Sequence, residues 1–108
     1  MIDLTPILQF DRVVVWACTI GSLTDLVQTC ETEGILWCAT NHASEHDIST
    51  YALREQPGLM IFPKEHSFIF VDKAFRDTDH QFYVETLYDN ELNKTVVKAA
   101  DILDMLEF

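Results

Sequence analysis

Glycine is scarce in this chain: Gly21, Gly34 and Gly58 are the only three in 108 residues. A phosphate-cradling loop needs several glycines close together, and no G-x-S-x-G elbow occurs either, so nucleotide-dependent and hydrolase chemistry lack their usual sequence signs. Long apolar runs are missing too. None approaches the ~20 residues that cross a bilayer, and the opening stretch MIDLTPILQF has neither a basic region nor a small-residue cleavage site. A soluble, cytoplasmic protein without membrane contact is the expectation. Cysteine is limited to Cys18, Cys30 and Cys38, an odd count with no C-x-x-C and no paired zinc spacing. That excludes a disulfide-stapled framework and makes reduced thiols the default.

Basic residues are the other shortage. Seven Lys and Arg face 18 Asp and Glu, for a formal net charge of -11. From Val13 to Leu53 there is no Lys or Arg at all, whereas Asp25, Glu31, Glu33, Glu45 and Asp47 all fall there. A field of that sign repels nucleic acid and anionic membranes and steers basic partners inward. It also serves plain solubility. These five carboxylates are the expected acidic surface, and the expected partner is another protein with a basic face.

What is present is the pattern of one compact domain, since the chain is 48% hydrophobic and has no linker, repeat or low-complexity segment. Residues 13–17, VVVWA, are a continuous apolar, β-branched run, as in a strand covered on both faces. Ser22, with Asp25 three residues on, reads as an N-cap, and Leu23, Leu26, Val27 and Cys30 recur at helical spacing until Gly34. A second strand over 35–39 would complete a parallel β-α-β unit. Ser44 and Asp47 make another capping pair, opening a helix through Ile48, Tyr51, Ala52 and Glu55 that stops at Gln56-Pro57-Gly58. Residues 59–62 and 67–71, separated by a polar turn, read as an antiparallel hairpin. Residues 72–80 are polar, 81–88 read as a strand, and Ala99, Ile102, Leu103 and Leu106 mark one face of a closing helix.

Residues 51–72, YALREQPGLMIFPKEHSFIFVD, resemble the second half of thioredoxin. Tyr51, Leu53, Arg54, Pro57 and the apolar strand ending in Phe62 match without gaps, and VVVWA resembles the family's central strand. The resemblance spans residues 12–72 and the final helix, with residues 72–92 as a loop-strand insertion. It implies an α/β, thioredoxin-like fold: a central mixed sheet flanked by helices. It further implies a cis proline at Pro57, placing the preceding backbone where an extended peptide can bond to it.

The chain departs from the family where the chemistry would be. Family enzymes carry Cys-x-x-Cys at the strand-to-helix junction, where the helix N-terminus favours a thiolate and the second thiol resolves the mixed disulfide. Here, aligning Cys18 with the attacking cysteine puts Gly21 on the resolving one; aligning Trp16-Ala17 with the family's Trp-Ala leaves Ile20 and Leu23 at the two sites. Neither frame holds a dithiol. Cys30 and Cys38, on a helix face and in a strand, read as core.

His42-Ala43-Ser44-Glu45-His46 fits the H-x-x-E-H pattern of inverted zinc peptidases, yet it straddles a helix cap and lacks a third ligand, so two exposed histidines are the better reading. His66 and His80 fall in turns. Trp16 and Trp37 read as packing residues, and Phe75 and Tyr88 as exposed contact residues. No cofactor or metal is expected. The reading that results is a thioredoxin-like protein-binding module, whether adaptor, chaperone-like or inhibitor. Its groove lies between Cys18, Thr19 and Ile20 on one side and Gln56, Pro57 and Gly58 on the other, and works by strand addition. Two other classes fit the same sequence: a monothiol redox protein using Cys18, and an acidic immunity or anti-defence inhibitor that mimics nucleic acid. Residues 72–92 are also suited to self-association as a homodimer.

Overall fold

The computed structural model describes residues 3–78 and 84–89. Its centre is the valine run: Val13–Ala17 forms strand β1, buried along its whole length, as a run without polar alternation requires. Helix α1, Ile20–Thr32, follows. Thr19, and not Ser22, is its N-cap, accepting the Ser22 N–H on its hydroxyl at 3.0 Å. The extended backbone that a cap needs occurs at Thr19 (φ -141°, ψ 167°), so Ser22 lies buried within the first turn. The other end closes as expected at Gly34. Its φ of 79° lets the Gly34 and Ile35 N–H groups bond the Glu31 and Cys30 carbonyls at 3.1 and 2.8 Å, a Schellman closure.

The apolar stretch 35–39 gives a strand of only two residues, β2, Leu36–Trp37. Cys38 and Ala39 take φ of 52° and 70° and fold the chain back, so that Trp37 and Asn41 exchange main-chain hydrogen bonds of 2.9 Å. Cys38 is therefore exposed at a turn and is not a core residue. Helix α2, Glu45–Ala52, opens on the full capping box of Ser44 and Asp47. It ends before Glu55, because Gln56, at φ 50°, and the proline after it need a loop over 53–56 to reverse the chain.

Strand β3, Gly58–Phe62, and strand β4, Ser67–Val71, form the expected antiparallel hairpin around a short 3-10 turn at Pro63–Glu65. His66 completes that turn with φ 53°. Within the polar segment, Lys73–Thr78 forms helix α3, and Val84–Tyr88 is strand β5. His80, the start of the expected strand at 81–83, and the closing helix of Ala99, Ile102, Leu103 and Leu106 lie outside the described residues.

The protein is thus α/β, with a five-stranded mixed sheet in the order β2-β4-β3-β1-β5. Strand β3 is antiparallel to β1 and β4, β1 is parallel to β5, and β2 is parallel to β4. Strands β1 and β2 consequently run the same way, as a β-α-β unit demands, but β3 and β4 stand between them. The five-residue β5 pairs with β1 along its length, from Val13↔Val84 to Ala17↔Tyr88; a two-residue β2 would leave part of that buried backbone without partners. Helices α1 and α2 pack on one face, over Val13, Val15, Leu59, Ile61 and Phe68. On the other face Val14, Trp16, Met60 and Val71 pack with Phe62, Ile69, Phe75 and Leu87. Among the described residues no helix is long and apolar enough to cross a membrane.

Candidate functional site

The end of β1 is where the expected site residues meet. The Ala17 N–H donates to the Pro57 carbonyl at 2.9 Å, and the Cys18 N–H to the Tyr88 carbonyl at 3.1 Å. Those two bonds bring the Cys18-Thr19-Ile20 junction, the Gln56-Pro57-Gly58 turn and the end of β5 together. Cys18, Thr19, Ile20 and Gln56 are exposed, Pro57 is half-buried and Gly58 is buried. Gly58 has no room for a side chain: a Cβ there would meet the Val15 carbonyl oxygen at 2.6 Å and the Trp16 ring at 2.9 Å.

Two expectations about this turn change. No cis peptide occurs among the described residues, so the Gln56-Pro57 bond is trans, and the reversal is made by the left-handed backbone of Gln56. In addition, the Pro57 carbonyl is taken by Ala17, and Gly58 is paired with Trp16 on one side and Val71 on the other. An incoming strand finds no open sheet edge there. What this end presents is side-chain surface.

That surface is partly apolar. Ile20 is 55% exposed and Leu53 is 89% exposed. Leu53 caps the C-terminal end of α2, and the loop after it leads to the start of β3 opposite Trp16, the same end of the sheet at which α1 begins. Ile20 was expected at this site from the sequence; Leu53 was not. The available signal was its position off the Ile48, Tyr51 and Ala52 face, which turns its side chain from the core. Beside it, Arg54 pairs with Asp72 at 3.7 Å and Lys73 with Glu55 at 3.6 Å, around a shallow depression lined by Glu55, Asp72, Lys73 and Ala74.

The thiol at this end is not electrostatically activated. Partial burial, and then the Asp89 carboxylate, push the Cys18 thiol above its ordinary pKa. Cys30 is fully buried, and burial followed by the Glu31 and Glu33 carboxylates pushes it up to about 12. Cys38 follows β2 at the far edge of the sheet, with β4 and β3 between it and β1. The three thiols therefore occupy three separate places.

The five expected acidic residues divide in the same way. Asp25 accepts the Tyr88 hydroxyl at 2.6 Å. Glu31 pairs with His42 Nδ1 at 3.0 Å through one carboxylate oxygen and accepts the Ala43 N–H at 3.0 Å through the other, fastening the loop before α2 to the end of α1. Asp47 accepts the Ser44 N–H and hydroxyl, both at 2.9 Å, which lowers its pKa. Glu33 and Glu45 are exposed. Glu31, Glu33, Glu45 and Asp47 thus gather where α1 ends and α2 begins, at the opposite end of the helical layer from Ile20 and Leu53.

Among the described residues no group of three His, Cys, Asp or Glu is placed to hold a metal ion; His42 lies before the cap of α2 and His46 within the helix. Trp16 is buried and Trp37 half-buried, both in packing roles. Phe75 packs on the second sheet face. Tyr88, expected to be exposed, is fully buried, because its hydroxyl reaches Asp25 across the helix-sheet interface. No protein-family model, curated protein or solved structure matches this chain.

Proposed function

We propose that this protein is a thioredoxin-like, redox-inactive module that binds another protein through the end of its sheet, with its negative charge favouring a basic partner. In favour of the thioredoxin-like reading are the antiparallel β3-β4 hairpin after α2, the buried β1 feeding α1, and the meeting of the Cys18 junction with the Pro57 turn. Against it count the placement of β2 beside β4, and not beside β1, and the trans bond before Pro57.

The observation that carries the binding function is the pair of large exposed side chains, Ile20 and Leu53, at the two helix ends flanking that meeting point. Fully burying one such side chain contributes ~1.5–3 kcal/mol, enough for two of them to anchor an interface. A thiol held in its protonated form adds no nucleophile there, since thiolate is the reactive species. That observation weighs against monothiol redox chemistry as the alternative.

The test is capture from a native extract with wild type and Cys18→Ser, at low and moderate salt. The reading expects the same partner with both proteins and weaker capture as salt rises. A partner that follows only the wild type and is released by dithiothreitol would replace binding with thiol chemistry.

A further inference from the structure

Strand β4 is paired along its full length on one side only. Ser67, Ile69 and Val71 sit opposite Phe62, Met60 and Gly58 of β3. On the other side β2 reaches only Ser67 and Phe68, and its last ladder bond runs from the Cys38 N–H to the Phe68 carbonyl at 3.0 Å. Main-chain groups alternate sides along a strand. The N–H and C=O of Phe70 therefore face the same edge as those of Phe68, one step beyond the end of β2.

What ends β2 is the turn at Cys38 and Ala39, two successive non-glycine residues in the left-handed region. Such residues are unfavourable there and persist where the surrounding structure imposes them. Continued extended backbone at these two positions would have covered Phe70. The chain instead closes on itself through the Trp37–Asn41 bridge and leaves the upper half of the β4 edge unpaired among the described residues.

Three half-buried rings flank that edge on the helix side. Tyr51 stacks on Phe70 with centroids 4.2 Å apart, and Trp37 stands edge-on to both, at 6.1 Å from Tyr51 and 5.2 Å from Phe70. Helix α2, which supplies Tyr51, contains no Lys or Arg, and the cations nearest in sequence to Tyr51 and Phe70, Arg54 and Lys73, are already paired with Asp72 and Glu55. The whole chain carries a net charge of -11.

We propose that an extended peptide segment bearing Lys or Arg adds as a strand to β4 at Phe70, continuing the line of β2. Its main chain pairs with the Phe70 N–H and C=O, and the basic side chain on the helix-facing side rests on the Trp37, Tyr51 and Phe70 rings. Strand addition supplies directional main-chain bonds. The net negative charge of the chain and the ring faces select the cation. The inference rests on the protein-binding reading above but places this contact on the main chain of the β4 edge, on groups that neither Ile20 nor Leu53 supplies.

The probe is a short synthetic peptide alternating lysine and valine, with two controls: the same peptide N-methylated at alternate amides, and a glutamate–valine counterpart. The readout is amide hydrogen exchange of Phe70 by NMR. Binding as proposed slows Phe70 exchange by ~tenfold or more with the lysine peptide and leaves it unchanged with both controls. Equal protection by the N-methylated peptide overturns strand pairing, equal protection by the glutamate peptide overturns charge selection, and no protection by any peptide overturns the site. Any of these failures leaves capture through Ile20 and Leu53 intact, so it is distinguishable from failure of the module reading.

Discussion

Tyr88 and Asp25 are 63 positions apart in sequence, yet they share a 2.6 Å hydrogen bond that ties the end of β5 to the second turn of α1. The same residue's carbonyl accepts the Cys18 N–H at 3.1 Å. Tyr88 therefore fixes both the helix and the junction from which it springs. Replacing it with phenylalanine removes the hydroxyl and leaves the half-buried Asp25 with one partner fewer. We expect Tyr88→Phe to destabilise the fold by ~1.5–3 kcal/mol, the range for a hydrogen bond to a charged group, as read by urea denaturation at neutral pH.

Alkaline stability follows from Tyr88 and Cys30. Burial, and then the bond to Asp25, raises the Tyr88 pKa above 10.0; Cys30 rises from 9.0 to about 12. Both groups hold their protons more tightly when folded. Their contribution is complete below the unfolded pKa and is lost as pH rises toward the folded one. Stability is expected to fall from pH 9 upward, with each group adding a slope of up to ~1.4 kcal/mol per pH unit in its own window. Cys30→Ala should flatten the curve between pH 9 and 12 and Tyr88→Phe should flatten it above pH 10, measured by denaturation at stepped pH. Parallel curves for wild type and variants would contradict these assignments.

The glycines separate two kinds of constraint. Around Gly34 nothing lies within 4 Å of an added Cβ, but its φ is 79°. Gly34→Ala should therefore cost only the left-handed backbone penalty, ~1–2 kcal/mol. At Gly58 a Cβ meets backbone at 2.6 Å, and the β1-β3 ladder must shift to admit it. Gly58→Ala should cost ~3 kcal/mol or more, at the upper end of overpacking. Thermal melts of the two variants compare the two constraints.

Much of this was legible because it is local. The Ser44-Asp47 capping box and the Gly34 helix stop are short-range chemistry, and both formed where their residues stand. The β3-β4 hairpin was equally readable from two apolar runs around a polar turn. Long-range pairing was not. Nothing in the residues 35–39 says that Cys38 and Ala39 adopt a left-handed turn, and so the run read as a full strand of a parallel β-α-β unit. Thr19 and Ser22 both carry a capping hydroxyl, and only the backbone angles choose between them. At the site, Cys18, Ile20 and Pro57 were foreseen together, whereas Leu53, the C-cap of α2, was read only for its resemblance and not for its exposure, and the partner of the Tyr88 hydroxyl lay too far along the chain to suggest itself.

Thiol reactivity gives an independent check on the junction. Cys18 is exposed but held protonated by partial burial and by Asp89. At neutral pH it should alkylate with iodoacetamide more slowly than free glutathione, as read by peptide mass spectrometry. Cys30, fully buried, should label only on unfolding. Cys18 labelling faster than glutathione would point to an activated thiolate.

Binding through the end of the sheet, as proposed, depends on Ile20 and Leu53. The most direct measurement is calorimetric titration of the captured partner against wild type and an Ile20→Ser, Leu53→Ser double variant of unchanged thermal stability. Loss of these two anchors is predicted to weaken binding by ~tenfold to a hundredfold, equivalent to ~1.4–2.8 kcal/mol. An unchanged affinity in the folded double variant would contradict the account.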